Sequence, residues 1–300
     1  LSPENPLASR PAPTSLFTPD NPASLKPMLT WTSVPGAVYY EFELYCAAPE
    51  NQAEADWSNY RIFRSQEVYT AGYNPDLTSF PYTHYYWRVR ARDYDGNPLG
   101  EFSAATELFV DRNLTPDQKP LIINNFDGIN LPVPLYPVYA WIPINGATRY
   151  EVELTDNPPE NPNGIEPSAH RIWAKETSAT DCLDCYDDVP RIVPGQYYWR
   201  VRGLDDNGGP VGVYSDAGEY CVDLAKGYYA ATFGDSITHG GGAISYSPAD
   251  WEYSFQSYLD FPIVNLGKSG DTSSTMVERF DQDVIPYHPR YLIIMGGTNS

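Results

Sequence analysis

Apolar and polar positions alternate through the first two thirds of the chain. After residue 227 this gives way to short apolar runs separated by stretches of helical period. In Tyr86-Trp87-Arg88-Val89-Arg90 the Trp and Val point one way and the arginines the other, which predicts a strand with one core face and one solvent face. The pattern occurs twice. Trp31, Pro35-Gly36-Ala37 and Tyr40-Glu41-Phe42-Glu43-Leu44 recur as Trp141, Asn145-Gly146-Ala147 and Tyr150-Glu151-Val152-Glu153-Leu154, displaced by 110 positions. Arg61-Ile62-Phe63 returns as Arg171-Ile172-Trp173 at the same offset, and Tyr85-Tyr86-Trp87-Arg88-Val89-Arg90 as Tyr197-Tyr198-Trp199-Arg200-Val201-Arg202 at 112. So constant a displacement marks an internal duplication. Each copy, about 100 residues of short strands broken by turn signals, reads as a β-sandwich. Trp31, Trp87, Trp141 and Trp199 are expected to point inwards, and Arg88, Arg90, Arg200 and Arg202 to form a solvated face with acidic neighbours. Asp95-Gly96-Asn97 and Asp206-Asn207-Gly208-Gly209 read as hairpin turns; their acidic residues lack the ligand series of a calcium loop.

The predicted boundaries are a Pro-rich lead-in with a first edge strand over 1–26, sandwich modules over 27–111 and 118–223, a linker over 112–117, and a different domain over 227–300. In that last domain Tyr228-Tyr229-Ala230-Ala231-Thr232-Phe233, Ile263-Val264-Asn265-Leu266-Gly267 and Tyr291-Leu292-Ile293-Ile294-Met295 read as buried strands. Between them Trp251, Phe255, Tyr258 and Leu259 fall at helical spacing after a Ser247-Pro248 cap, and Met276, Val277, Phe280 and Val284 do so before Pro286. The result is β-α-β-α-β. Right-handed crossovers make its strands parallel and put all three following loops on one edge.

Those loops carry candidate chemistry. Gly234-Asp235-Ser236-Ile237-Thr238 offers a serine at a strand end, the place where an α/β sheet presents a nucleophile. Gly270 in the second loop lets a substrate oxygen approach a bare backbone N–H. Asn299 in the third donates through an uncharged amide.

Composition narrows the partners. The 300 residues carry 39 acidic against 19 basic side chains, a net charge of −20, which disfavours nucleic acid and anionic membranes. The sequence holds no run of 18 apolar residues, the length that would read as a membrane span. Seven Trp, 25 Tyr and 11 Phe suffice for packed cores, and their alternation within strands makes them core before carbohydrate platform. Cys46, Cys182, Cys185 and Cys221 are too few for a disulfide scaffold. Cys182-Leu183-Asp184-Cys185 lacks the further ligands of a zinc site and reads as a local bridge or as buried thiols. Neither a metal nor a cofactor is expected.

The three loop motifs together resemble the SGNH hydrolases, also called the GDSL esterase/lipase family. Gly234-Asp235-Ser236 matches the first block, Asn265-Leu266-Gly267-Lys268-Ser269-Gly270-Asp271-Thr272 the second and Gly296-Gly297-Thr298-Asn299 the third. The resemblance covers about 227 to 300 and implies a flavodoxin-like α/β domain. It makes Ser236 the nucleophile and a backbone oxyanion-hole donor, with Gly270 and Asn299 as further donors and Asp235 and His239 on the substrate side. The family's Asp-x-x-His block, which supplies the general base, belongs downstream of Asn299. The sandwich copies resemble fibronectin type III modules, with an immunoglobulin-like sandwich as the nearest rival.

Of the four histidines, His84 and His170 belong to the sandwiches, and His288 lies at the amino edge of the third strand, about 17 Å from Ser236 by typical strand dimensions. His239 has no evident carboxylate to orient it, as a triad base requires. Residues 1–300 alone are therefore expected to have little or no esterase activity. The resemblance implies a secreted or cell-surface serine esterase whose substrate is an ester, an acylated extracellular polysaccharide being the favoured form. Alternatives are a lipase or thioesterase of the same family, or a surface adhesion or carbohydrate-binding protein whose hydrolase domain is inactive. A parallel sheet ending at its third strand would expose an apolar edge, so the rest of that domain is expected on further residues or another chain.

Overall fold

Tyr40, Phe42 and Leu44 alternate with Glu41 and Glu43, and every one of these five side chains is buried. The computed structural model describes residues 9–50, 59–115, 118–124, 132–178, 183–224, 227–240, 255–261 and 263–300. Its first module contains β1 (Leu29–Thr30), β2 (Tyr39–Tyr45), β3 (Arg61–Val68), β4 (Gly72–Tyr73), β5 (His84–Arg92) and β6 (Thr106–Phe109). An antiparallel sheet of order β3-β2-β5-β6 faces the β1-β4 pair across a core holding Leu29, Trp31, Phe42, Trp87 and Leu108. The described lead-in joins this module through isolated bridges such as Phe17 to Leu108, through hydrogen bonds such as Thr30 N–H to Ser15 Oγ, and by placing Ala23 in its core.

The second module repeats the plan with β7 (Leu121–Ile123), β8 (Val138–Ile142), β9 (Arg149–Thr155), β10 (Arg171–Glu176), β11 (Asp184–Tyr186), β12 (Gly195–Leu204), β13 (Pro210–Val211) and β14 (Gly218–Val222). One sheet runs β10-β9-β12-β13, with β14 also pairing β12; the other runs β11-β8-β7. Tyr139 of β8 meets Trp199 of β12 at 4.9 Å, and Trp141 meets Tyr150 of β9 at 5.1 Å, so aromatic rings join the two layers. All four duplicated tryptophans are buried. The two turns form as read, with Gly96 and Gly208 both at φ +81, which a hairpin turn of this kind requires.

The outer faces differ from expectation. Arg88 is 1% exposed and Arg200 0%, so neither lies on a solvated surface. In register, Glu41 stands opposite Arg90 and Glu43 opposite Arg88, while Glu151 faces Arg202 and Glu153 faces Arg200. Glu43 also takes Arg61 at 2.6 Å, and Glu153 takes Arg171 at 2.6 Å. An aromatic ring lids each cluster: Phe102 lies 4.0 Å from the Arg88 guanidinium and Tyr214 3.9 Å from that of Arg200. Burial pulls the Glu41 carboxyl upward, but Arg90 and Arg92 more than reverse this and hold it below the ordinary range. Glu151 is likewise lowered, by Arg171, Tyr214 and Arg202 acting against burial. The period-2 pattern sorted the residues onto faces correctly; around Arg88 and Arg200 the second face is buried because Phe102 and Tyr214 cover it.

The α/β segment consists of β15 (Ala230–Gly234), α1 (Ser236–His239), β16 (Ile263–Asn265), α2 (Ser273–Asp283) and β17 (Tyr291–Met295). Its three strands are parallel in the order β16-β15-β17. Thr272 caps α2 through a capping box with Thr275. Met276 and Val284 are buried, but Val277 is 77% exposed, and Arg279 and Asp283 take the inward positions instead. The earlier helical pattern yields only a 3-10 turn over Phe255–Tyr258, with Tyr258 exposed; Trp251, Ser247 and Pro248 lie outside the described residues. Cys46, Cys185 and Cys221 are free thiols, and Cys182 lies outside the described residues. No helix among the described residues is long and apolar enough to cross a membrane.

The chain divides into two compact units, residues 1–118 with 142–146 and residues 119–141 with 147–300. Within the second unit the α/β core takes in Leu135 and Tyr136, shortly before β8.

Candidate active site

The site begins where β15 ends. Gly234 has no alternative there: a Cβ would sit 1.8 Å from the Met295 carbonyl oxygen and 2.2 Å from Thr238 Oγ1. The chain then turns straight into α1, with buried Asp235 as its N-cap, accepting the Ile237 N–H at 3.1 Å. Ser236 is thereby left half-buried at the first helical position, with its N–H among the amides that have no intrahelical partner. Its hydroxyl makes no hydrogen bond among the described residues.

Gly270 lies on the loop after β16, between Lys268, whose carbonyl accepts the Asp271 N–H at 3.3 Å, and the cap of α2. Its φ is +88, and nothing stands within 4 Å of where a Cβ would be. Glycine is needed here for its backbone conformation, and the open space beside it leaves room for a ligand.

Asn299 lies on the exposed loop after β17 and donates its amide to the Asp271 carbonyl at 2.9 Å. That amide has two hydrogens, so one bond leaves a second to give. The neighbouring Thr298 N–H reaches the Asp235 carboxylate at 3.4 Å. Hydrogen bonds thus connect the third loop to each of the other two, and all three leave the carboxyl edge of one parallel sheet.

Two expected substrate-side groups lie elsewhere. Asp235 is fully buried and spends its carboxylate on the two backbone amides just named. His239 is 1% exposed, with Nε2 2.7 Å from the Tyr136 carbonyl oxygen and Nδ1 3.0 Å from Ser269 Oγ and 3.2 Å from the Ser269 nitrogen. Burial and the nearby Arg279 cation hold its pKa at about 4, against the ordinary 6.5, despite the Tyr136 hydrogen bond and Asp271 acting the other way. Both are corrected to internal residues. His288 caps the turn before β17 in a left-handed conformation, at the opposite end of the strand.

Arg279 is the residue that the sequence reading missed. From α2 it donates to Asp271 at 2.5 Å, to Asp283 at 3.1 Å, to the Leu266 carbonyl at 2.9 Å and to the Gly234 carbonyl at 3.1 Å, with the Phe233 ring 4.2 Å away. One guanidinium ties the ends of β15 and β16 to the Gly270 loop. The available signal was its phase, since position 279 falls on the same helical face as Met276, Phe280 and Asp283. Among the described residues no group of His, Cys, Asp and Glu could hold a metal ion.

A strand-end serine, a positive-φ glycine and a side-chain amide thus stand on adjoining loops. Residues 232–300 match the family model described as the GDSL-like lipase/acylhydrolase family. Among solved structures the chain is similar to a Fn3-like protein from Clostridium thermocellum, at 20% identity over 35% of this chain and 95% of that one, with a TM-score of 0.23. It is also similar to the FN1-FN3 domains of chicken CNTN1, at 14% identity over 70% of this chain and 66% of that one, with a TM-score of 0.24. No curated protein matches.

Proposed function

We propose that the protein is a serine esterase acting outside the cell, with an acyl group on a polysaccharide as its substrate. The observation that carries this reading is the joining of the Ser236, Gly270 and Asn299 loops at one sheet edge by the Asp235–Thr298 and Asn299–Asp271 hydrogen bonds. Ser236 Oγ attacks the ester carbonyl carbon while its proton passes to a base. The developing oxyanion takes hydrogen bonds from the N–H groups of Ser236 and Gly270 and the free Nδ2–H of Asn299, each worth about 3 kcal/mol in comparable sites. The alcohol leaves, and water then releases the acid from the acyl-enzyme.

His239 is a poor candidate for the base, because both of its nitrogens are committed. The reading therefore takes the base from the Asp-x-x-His block that the family resemblance puts downstream of Asn299. The acetyl-polysaccharide substrate and the extracellular setting rest on analogy with modular enzymes. The rival adhesion reading is weakened by the burial of the four duplicated tryptophans, which removes the most obvious aromatic platform.

The test is hydrolysis of aryl acetates and acetylated oligosaccharides by the full-length protein and its variants. Ser236→Ala should abolish turnover, and Asn299→Ala should lower kcat by about 10²–10³-fold with KM little changed. Full activity in Ser236→Ala would end this reading.

A further inference from the structure

We propose that His239 is a positioning residue that holds the Ser269-Gly270 turn, and that the carbonyl of Tyr136, from the second module, sets its tautomer. This rests on the esterase reading, in which the Gly270 N–H is an oxyanion donor.

The hydrogen bonds determine where the imidazole proton lies. A carbonyl oxygen only accepts, so the 2.7 Å contact with Tyr136 requires the hydrogen on Nε2. Nδ1 is then a lone-pair acceptor, and it receives the Ser269 N–H at 3.2 Å and the Ser269 hydroxyl at 3.0 Å. An imidazolium would point an Nδ1–H at the Ser269 N–H. The neutral Nε2–H form is the one that this pocket accepts.

Ser269 directly precedes Gly270, so His239 anchors one side of the donor. Asp271 anchors the other side, through its side chain to Arg279 and its carbonyl to Asn299. His239 is also in register with the nucleophile, because its N–H closes α1 onto the Asp235 carbonyl at 2.9 Å. The two loops touch closely: a Cβ on Gly267 would come within 2.5 Å of the His239 nitrogen, and Asn265 Nδ2 donates to the His239 carbonyl at 3.1 Å.

Tyr136 is itself clamped. The Leu135 N–H donates to Asn265 at 2.9 Å, the Leu135 carbonyl accepts the Arg191 N–H at 2.8 Å, and the Tyr136 phenol donates to Asp283 at 2.7 Å. The charged and titratable groups around the ring are Arg279 and Asp271, Lys268 above the Tyr136 ring at 4.8 Å, and the phenols of Tyr136 and Tyr186, the latter ring edge-on at 5.5 Å. Burial among these groups favours the neutral form, in line with the bonding. The second sandwich is on this account a structural part of the esterase site.

Two measurements test the proposal. Long-range proton–nitrogen NMR of the 15N-labelled full chain should show His239 neutral at pH 7, with its hydrogen on Nε2 and Nδ1 accepting. An Nδ1–H tautomer or an imidazolium at pH 7 would overturn the proposal. In the same spectra His239→Phe should displace the Gly270 amide resonance, and His239→Asn, which keeps an acceptor near the Nδ1 position, should displace it less. Kinetics of the full-length protein should show kcat reduced by up to about 10²-fold in His239→Phe, KM within about twofold, and partial recovery in His239→Asn. Should His239→Phe not fold, Ser269→Ala replaces it, with a smaller loss of kcat and the same Gly270 displacement expected. A folded variant with unmoved Gly270 and unchanged kcat refutes the proposal. Wild-type protein that cleaves no ester, or Ser236→Ala that cleaves as well as wild type, refutes the esterase reading instead, and the tautomer and the Gly270 resonance still decide the positioning role.

Discussion

The Nε2 of His239 lies 2.7 Å from the carbonyl oxygen of Tyr136, although the two residues are 103 positions apart. This contact makes the helix that carries Ser236 lean on the module before it. Burial, acting against this hydrogen bond, keeps the imidazole uncharged in a place where protonation would turn an Nδ1–H towards the Ser269 N–H.

A pH dependence follows. The folded pKa of His239, about 4, lies below its ordinary 6.5, so the unfolded chain binds this proton first. Stability from this residue is complete above about pH 6.5 and is lost as pH falls towards 4, by about 3 kcal/mol in total. Thermal melts between pH 7 and 4.5 should show the second unit weakening, and His239→Gln should flatten the slope. Asp187, whose carboxyl burial raises in spite of Arg191, changes in the opposite sense near the bottom of that range, so the difference between wild type and variant is the quantity to read. Equal slopes would contradict the assignment.

Gly234 should tolerate no side chain. A Cβ there meets the Met295 carbonyl, which belongs to the β15–β17 ladder and cannot retreat without breaking it. Gly234→Ala is expected to destabilise by about 3 kcal/mol or more. Gly270→Ala meets nothing and should cost only the left-handed strain of about 1–2 kcal/mol. Denaturant titrations of the two variants would distinguish them, and similar losses would count against this account.

The buried ion clusters should be fragile to single changes. Glu153 holds Arg171 and Arg200, both at 2.6 Å, so Glu153→Gln leaves buried cations short of a partner and should cost about 3–5 kcal/mol. Glu43→Gln should act in the same way in the first module. Replacing a cluster with apolar residues of similar volume should recover much of the loss. Calorimetric melts check both, and an unchanged melting temperature for Glu153→Gln would mean that the cluster is wet.

The phase of α2 can be checked with neighbouring residues. Met276→Ala should lose about 2–5 kcal/mol, because its side chain is buried in the α/β core. Val277→Lys should change stability by no more than about 0.5 kcal/mol, since this valine is exposed. The reverse order would require a different helix register.

By itself the sequence determined the features that arise from local periodicity and backbone need. The period-2 alternation around Trp87 and Trp199 sorted residues onto sheet faces, the repeat near 110 disclosed two copies of one sandwich, and the three apolar runs with their glycine-rich loops placed Ser236, Gly270 and Asn299 at strand ends. Tertiary structure decided the features that depend on what lies against a face. Arg88 and Arg200 look like solvent-facing residues until Phe102 and Tyr214, each 14 or fewer positions away, fold over them. Val277 and Arg279 both fit a helical stripe by spacing, and the Asp271 and Asp283 carboxylates with the carbonyls of Gly234 and Leu266 hold the arginine inwards. His239 sits in a glycine-rich stretch that reads as open loop, yet Tyr136 and Ser269 close over it from either side. Such contacts join residues well beyond one helical turn or one strand pair, and no local pattern encodes them, because burial and hydrogen-bond partnership are properties of the assembled fold.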